Sequence, residues 1–88
     1  NIITLQNLGE SPYKRHFLDI NGNTGAVILE RCIGSGIDWR INHKGNNIVT
    51  LQNQGKSSYK NYFLDIDGNT GAVILSPQEY SGTHWIMT

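Results

Sequence analysis

Much of this chain is written twice, 46 residues apart. Asn1-Ile2-Ile3-Thr4-Leu5-Gln6-Asn7 returns as Asn47-Ile48-Val49-Thr50-Leu51-Gln52-Asn53, and Phe17-Leu18-Asp19-Ile20 as Phe63-Leu64-Asp65-Ile66. Gly22 to Leu29 recurs unchanged as Gly68 to Leu75, and Trp39 recurs as Trp85. Residues 1–42 laid on 47–88 share about 25 identities without a gap. A repeat of this period is one supersecondary unit that cannot bury its apolar face alone and completes a core by stacking on its neighbours. At 88 residues the chain holds two such units, 1–46 and 47–88. Together they make one small domain of the size where a single core is only marginally stable.

Each unit reads as four short strands. The first, Ile2–Leu8 and again Ile48–Gln54, alternates apolar and polar residues. The second spans His16–Ile20 and Tyr62–Ile66. Asn21-Gly22 and Asp67-Gly68 follow, dipeptides suited to the positive φ angles of tight hairpins. The third strand is Ala26–Leu29 and Ala72–Leu75, and the fourth carries Trp39 with Ile41, and Trp85 with Met87. The loops between the third and fourth strands, 30–38 and 76–84, differ between the units. His43-Lys44-Gly45-Asn46 reads as the turn joining them. No stretch keeps a helical apolar period.

Composition narrows the function. Seven basic and seven acidic side chains cancel, leaving no electrostatic footprint for nucleic acid or an anionic membrane surface. No apolar run approaches the roughly 18 residues of a membrane span. Cys32 is the only cysteine, so no intrachain disulfide forms, and its counterpart Gln78 shows that the repeat needs no thiol. The first residue is Asn rather than Met, as expected of a processed chain or a fragment, and the compartment stays open.

Four strands per unit, a turn signal every 8–12 residues and a late tryptophan point to an all-β fold of the β-trefoil type. There, first and fourth strands build a barrel and second and third form a hairpin cap. A β-propeller blade has a similar strand count and period and is the competing architecture. The order Thr-Leu-Gln-Asn, Phe-Leu-Asp-Ile, Gly-Ala-Val-Ile-Leu, Ser-Gly and Trp resembles the repeat of ricin B-type lectins and related fungal β-trefoil lectins over nearly the whole chain. That family ends its fourth strand in Gln-any-Trp. Here the triplets are Ile37-Asp38-Trp39 and Thr83-His84-Trp85, which keep the tryptophan without the glutamine. A trefoil needs three units, so two leave unpaired edges and an exposed core. Completion by association with another chain or another repeat is expected.

Asp19 and Asp65 are the leading site residues. A carboxylate at the mouth of a hairpin accepts hydrogen bonds from neighbouring sugar hydroxyls, and the resemblance implies that role for both. Their other reading is acceptance of backbone N–H groups from the Asn-Gly turns. Asn21, Asn23, Asp67 and Asn69 add polar groups around the same turns. The family's stacking ring would fall at Glu30 and Ser76, neither aromatic, so His16 and Tyr62, or Tyr80, are the candidate rings. Asp65, Asp67 and Asn69 alternate like the front of an EF-hand loop, but Ser76 stands where the closing glutamate belongs and no helices flank the segment. Calcium is therefore disfavoured, and no metal or other cofactor is expected.

His16, His43 and His84 do not recur between the units and belong to no triad or metal spacing, so no enzyme is expected. Duplication suits a binder, because two weak sites on one body raise avidity without new contacts. The reading is a non-catalytic carbohydrate-binding lectin with one shallow site per unit. The alternative is a protein-interaction module, such as a trefoil protease inhibitor or accessory subunit, acting through loops 30–38 and 76–84.

Overall fold

The computed structural model describes residues 1–87; Thr88, counted above as the end of the second unit, lies outside the described residues. Strands form where β-branched and aromatic residues gather between Gly- and Asn-rich turns. In chain order they are β1 (Ile2–Ile3), β2 (Phe17–Ile20), β3 (Val27–Glu30), β4 (Trp39–Gly45), β5 (Ile48–Asn53), β6 (Phe63–Ile66), β7 (Val73–Ser76) and β8 (Trp85–Ile86). Two 3-10 turns, Ser35–Ile37 and Ser81–Thr83, precede β4 and β8. The described residues are all-β with antiparallel pairing throughout, and no helix among them is long and apolar enough to cross a membrane.

The pairing follows the duplication. In the first unit β1 pairs with β4, Ile3 opposite Trp39; in the second β5 pairs with β8, Val49 opposite Trp85. Each middle pair is a hairpin in the same register, Asp19 opposite Ile28 and Asp65 opposite Ile74. A propeller blade would pair its strands in chain order, whereas here the first strand of each unit meets the fourth. The long β4–β5 hairpin fastens one unit to the other, from Trp39 opposite Asn53 to Gly45 opposite Ile48.

Several boundaries differ from the sequence reading. The first strand, expected over Ile2–Leu8, is regular only at Ile2–Ile3, with one further bridge from Gln6 to Phe17. Its counterpart β5 runs six residues because β4 lies alongside it and the Asn42 side-chain amide donates to Thr50 Oγ1 (3.1 Å) and Gln52 Oε1 (3.0 Å). Among the described residues β1 is an edge strand that pairs with β4 alone. The fourth strand also outruns expectation: β4 absorbs His43, Lys44 and Gly45, and the turn between the units shrinks to Asn46-Asn47. Both asparagines have positive φ, 55° and 64°, the requirement of the mirror-image turn that matches strand twist. In the hairpins after β2 and β6 the positive φ falls on Gly25 and Gly71, each at 77°, and not on Gly22 or Gly68.

The core is built from the seam between the units. Ile20, Trp39, Ile41, Val49, Leu51 and Leu64 are buried together, with Leu5, Leu18, Leu75 and Trp85 packed around them. Trp39 is fully buried and Trp85 only partly so, although each indole N–H donates to a carbonyl at 3.1 Å, Leu18 for one and Leu64 for the other. Equal sequence thus yields unequal burial.

Candidate functional site

Strand alternation turns Asp19 away from the face that Leu18 and Ile20 share. The carboxylate lies under the 3-10 turn that precedes β4. Its Oδ1 accepts the Ile20 N–H at 2.7 Å, and Gly36 sits so close above it that any side chain there would strike the same oxygen. Asp65 repeats the arrangement with Ile66 N–H at 2.7 Å and Gly82. Both aspartates are buried, at 7% and 5% exposure. Glycine at 36 and 82 lets the backbone of each 3-10 turn lie directly on the carboxylate. Gly36 and Gly82 were not among the candidates from sequence. The signal for them was present, since Ser35-Gly36 and Ser81-Gly82 are the only identities within otherwise divergent loops.

The two acids differ in what stands opposite the start of each hairpin. Ser76 pairs with Phe63, is buried, and its hydroxyl donates to Asp65 Oδ2 at 2.6 Å. Both oxygens of Asp65 are therefore engaged. Glu30 occupies the equivalent place opposite Phe17, is exposed, and offers a second negative charge instead of a donor. Burial pushes the Asp19 carboxyl above its ordinary value, the Ile20 N–H opposes that shift, and the Glu30 charge adds to it. Among the described residues no fully buried side-chain oxygen lacks a partner, so Asp19 Oδ2 keeps contact with solvent. It is the carboxylate oxygen of the pair of aspartates that accepts no protein hydrogen bond among the described residues.

The turn residues are committed largely to the turns. Asn21 Oδ1 accepts the N–H groups of Asn23 (2.9 Å) and Thr24 (3.3 Å), and Asp67 Oδ1 accepts that of Asn69 (2.9 Å). Asn23 and Asn69 are exposed at the hairpin tips. His16 and Tyr62 stand at the other end of their strands, each half-buried and edge-on to a tyrosine, Tyr13 at 5.4 Å and Tyr59 at 5.2 Å between ring centres. The structure therefore divides the eight candidates into three places: the acid beneath the 3-10 turn, the hairpin tip, and the aromatic pair at the strand's start. It does not hydrogen-bond Asp19 or Asp65 to the tips. Asp65 and Asp67 point their oxygens at different backbone groups, and among the described residues no group of three or more His, Cys, Asp or Glu is placed to hold a metal ion.

The divergent loops present other chemistry. Ile33 is 78% exposed and Tyr80 52%. Glu79 pairs with Lys44 at 3.0 Å and faces His84 Nε2 at 3.7 Å. Cys32 is exposed on the first loop.

No protein-family model matches the chain, and no curated protein matches it. Among solved structures the chain is similar to one described as SeviL bound to asialo-GM1 saccharide, with a TM-score of 0.67 and 19% identity. The match covers 94% of this chain and 66% of that one, so the chain spans about two thirds of its neighbour's length. At that identity the likeness is one of fold.

Proposed function

We propose that this chain is a non-catalytic carbohydrate-binding module of the β-trefoil type, akin to the ricin B-type lectins. Its two units, 1–46 and 47–88, form one lectin-like domain with a shallow site on each. Association with a further chain or repeat completes the barrel. The observation that carries the reading is the fold shared over 94% of the chain with a protein solved with a saccharide bound. The first-to-fourth strand pairing within each unit supports the trefoil type. The doubled placement of an aspartate beneath a Ser-Gly turn supports one site per unit. Asp19 and Asp65 supply the carboxylates, with Asn21, Asn23, Asp67 and Asn69 at the tips and His16 and Tyr62 as flanking rings. The ligand is a glycan, and the sites need no metal.

The test is glycan binding by Asp19→Asn, Asp65→Asn and the double variant. Asparagine keeps the Oδ1 acceptor for the following N–H, removes the charge and turns the second oxygen, the one left for a ligand at Asp19 and bonded to Ser76 at Asp65, into an NH2 donor. Each single change is expected to silence one site and halve the stoichiometry in calorimetry, and the double change to abolish capture on a glycan-coated surface. Thermal unfolding run in parallel shows whether each variant is folded. A folded double variant that binds glycans like the parent would make these acids structural only.

A further inference from the structure

Residues 17–30 and 63–76 differ at only two positions. Asn21 and Asp67 serve the same purpose, each accepting the N–H two residues further on at 2.9 Å. Glu30 and Ser76 do not. Each stands across its hairpin from a phenylalanine, Glu30 from Phe17 and Ser76 from Phe63. Strand alternation then sets it diagonally from the aspartate on the same face of the hairpin.

Both aspartates hold one pose. Oδ1 accepts the N–H of the next residue at 2.7 Å and lies against the glycine of the 3-10 turn. In the second unit the other oxygen, Oδ2, meets position 76, where the Ser76 hydroxyl donates to it at 2.6 Å. The same pose in the same register turns Asp19 Oδ2 towards position 30, and there it finds no donor. Asp19 is only 7% exposed, yet among the described residues nothing donates to its Oδ2, and neither Asp19 nor Glu30 joins a salt bridge.

A carboxylate withdrawn from water beside a second carboxylate favours any partner that brings positive charge together with a hydrogen-bond donor. The upward shift of the Asp19 carboxyl expresses that preference towards a proton. Sugar hydroxyls bring donors without charge. An ammonium group brings three donors and the charge together. A metal ion is less suited, since among the described residues no third His, Cys, Asp or Glu joins the two acids.

We propose that the site of the first unit selects a sugar bearing a free ammonium group, that Glu30 sets this choice, and that the second unit, with Ser76 in its place, takes neutral sugars. This rests on the glycan-binding reading above and names the sugar class of each site. Asp65 keeps lone pairs for a sugar hydroxyl beside its bond to Ser76, but no second acid stands at position 76 to favour a cation.

The experiment titrates the whole chain with D-galactosamine and D-glucosamine, and with D-galactose and D-glucose, in which a hydroxyl replaces the ammonium. It is run at matched ionic strength and about pH 6.5, where an amine of this kind is protonated. The NMR signals of the Ile20 and Ile66 amides, whose N–H groups lie on the two carboxylates, read each site by itself. At Ile20 a hexosamine is expected to bind on the order of tenfold more tightly than its parent hexose, and at Ile66 the two should bind alike. Glu30→Gln keeps the shape, removes the charge and should erase the preference at Ile20. Ser76→Glu should create it at Ile66; Ser76 is buried, so if thermal melts show that variant unfolded, Glu30→Gln decides alone. Neutral sugars bound at both sites with no preference at Ile20 would overturn the inference and leave the glycan reading standing. A preference that survives Glu30→Gln would also overturn it, as would methylammonium chloride binding as tightly as the hexosamine. No response at either amide to any of the four sugars would overturn the glycan reading and this inference with it.

Discussion

At the scale of single residues, Asp19 is held in a place that opposes its charge. Buried beneath Gly36 and facing Glu30, its carboxyl titrates above the ordinary carboxylate value. A folded state that holds a proton more tightly than the unfolded chain is favoured at low pH and loses that advantage as pH rises from the unfolded value, about 4, through the raised folded one. Asp19→Asn, which cannot ionise, should therefore melt higher than the parent at neutral pH. The gap should shrink towards zero as pH falls through the acid range. Thermal melts of the pair across pH 3–7 check this, and a gap independent of pH would show that the ionised form carries no penalty. A variant that gains stability while losing glycan capture would mark Asp19 as a residue kept for binding at the expense of folding. The sequence showed this acid and its twin, but not their difference. That difference lies across the hairpin, where Ser76 donates to one acid and Glu30 repels the other, and depends on a register invisible in a linear string.

At the scale of elements, strands and hairpins were legible and the turn chemistry was only half so. Asn21-Gly22 opens a turn that Asn23-Thr24-Gly25 lengthens, and in the structure the Asn21 carbonyl accepts the Gly25 N–H (2.7 Å), but the left-handed residue is Gly25 and not Gly22. The tight turn read at His43-Lys44-Gly45-Asn46 falls at Asn46-Asn47, just past Gly45, and its two central residues are both asparagines. Asparagine tolerates left-handed backbone, and a bulge at Lys44, where the register shifts between His43 and Gly45, sets the strands to meet it. Asn47→Val should then cost about 1–2 kcal/mol, because a β-branched side chain at that φ clashes with its own carbonyl. Asn47→Gly should leave stability unchanged or raise it, since Asn-Gly is the preferred pair for this turn. Urea midpoints of the two variants check the point. Equal losses would mean that the Asn47 side chain, not its backbone, holds the turn.

At the scale of the whole molecule, the repeat was the clearest message of the sequence and burial the least clear. Identical residues at 20 and 66 differ sixfold in exposure because burial belongs to the seam between units and not to either unit. Periodicity tells which side chains face inward, and only the number of stacked units tells whether anything covers them. The same duplication governs how the molecule would engage a glycan surface. Its extents, 32 × 31 × 30 Å, keep any two sites within roughly one molecular diameter on a rigid body. A shallow site with few donors on each unit, as proposed, should bind a free monosaccharide weakly, roughly at millimolar concentration. Capture on a dense glycan layer should be tighter by about 10²–10⁴-fold, because the second contact is made at the effective concentration set by the first. That gain should disappear when the glycans are spaced further apart than the molecule is wide, and also in either single aspartate variant. Titrating surface density in a binding assay separates these cases. A parent whose affinity ignores glycan spacing would be a one-site binder, and the second copy of Phe-Leu-Asp-Ile would then serve the fold alone.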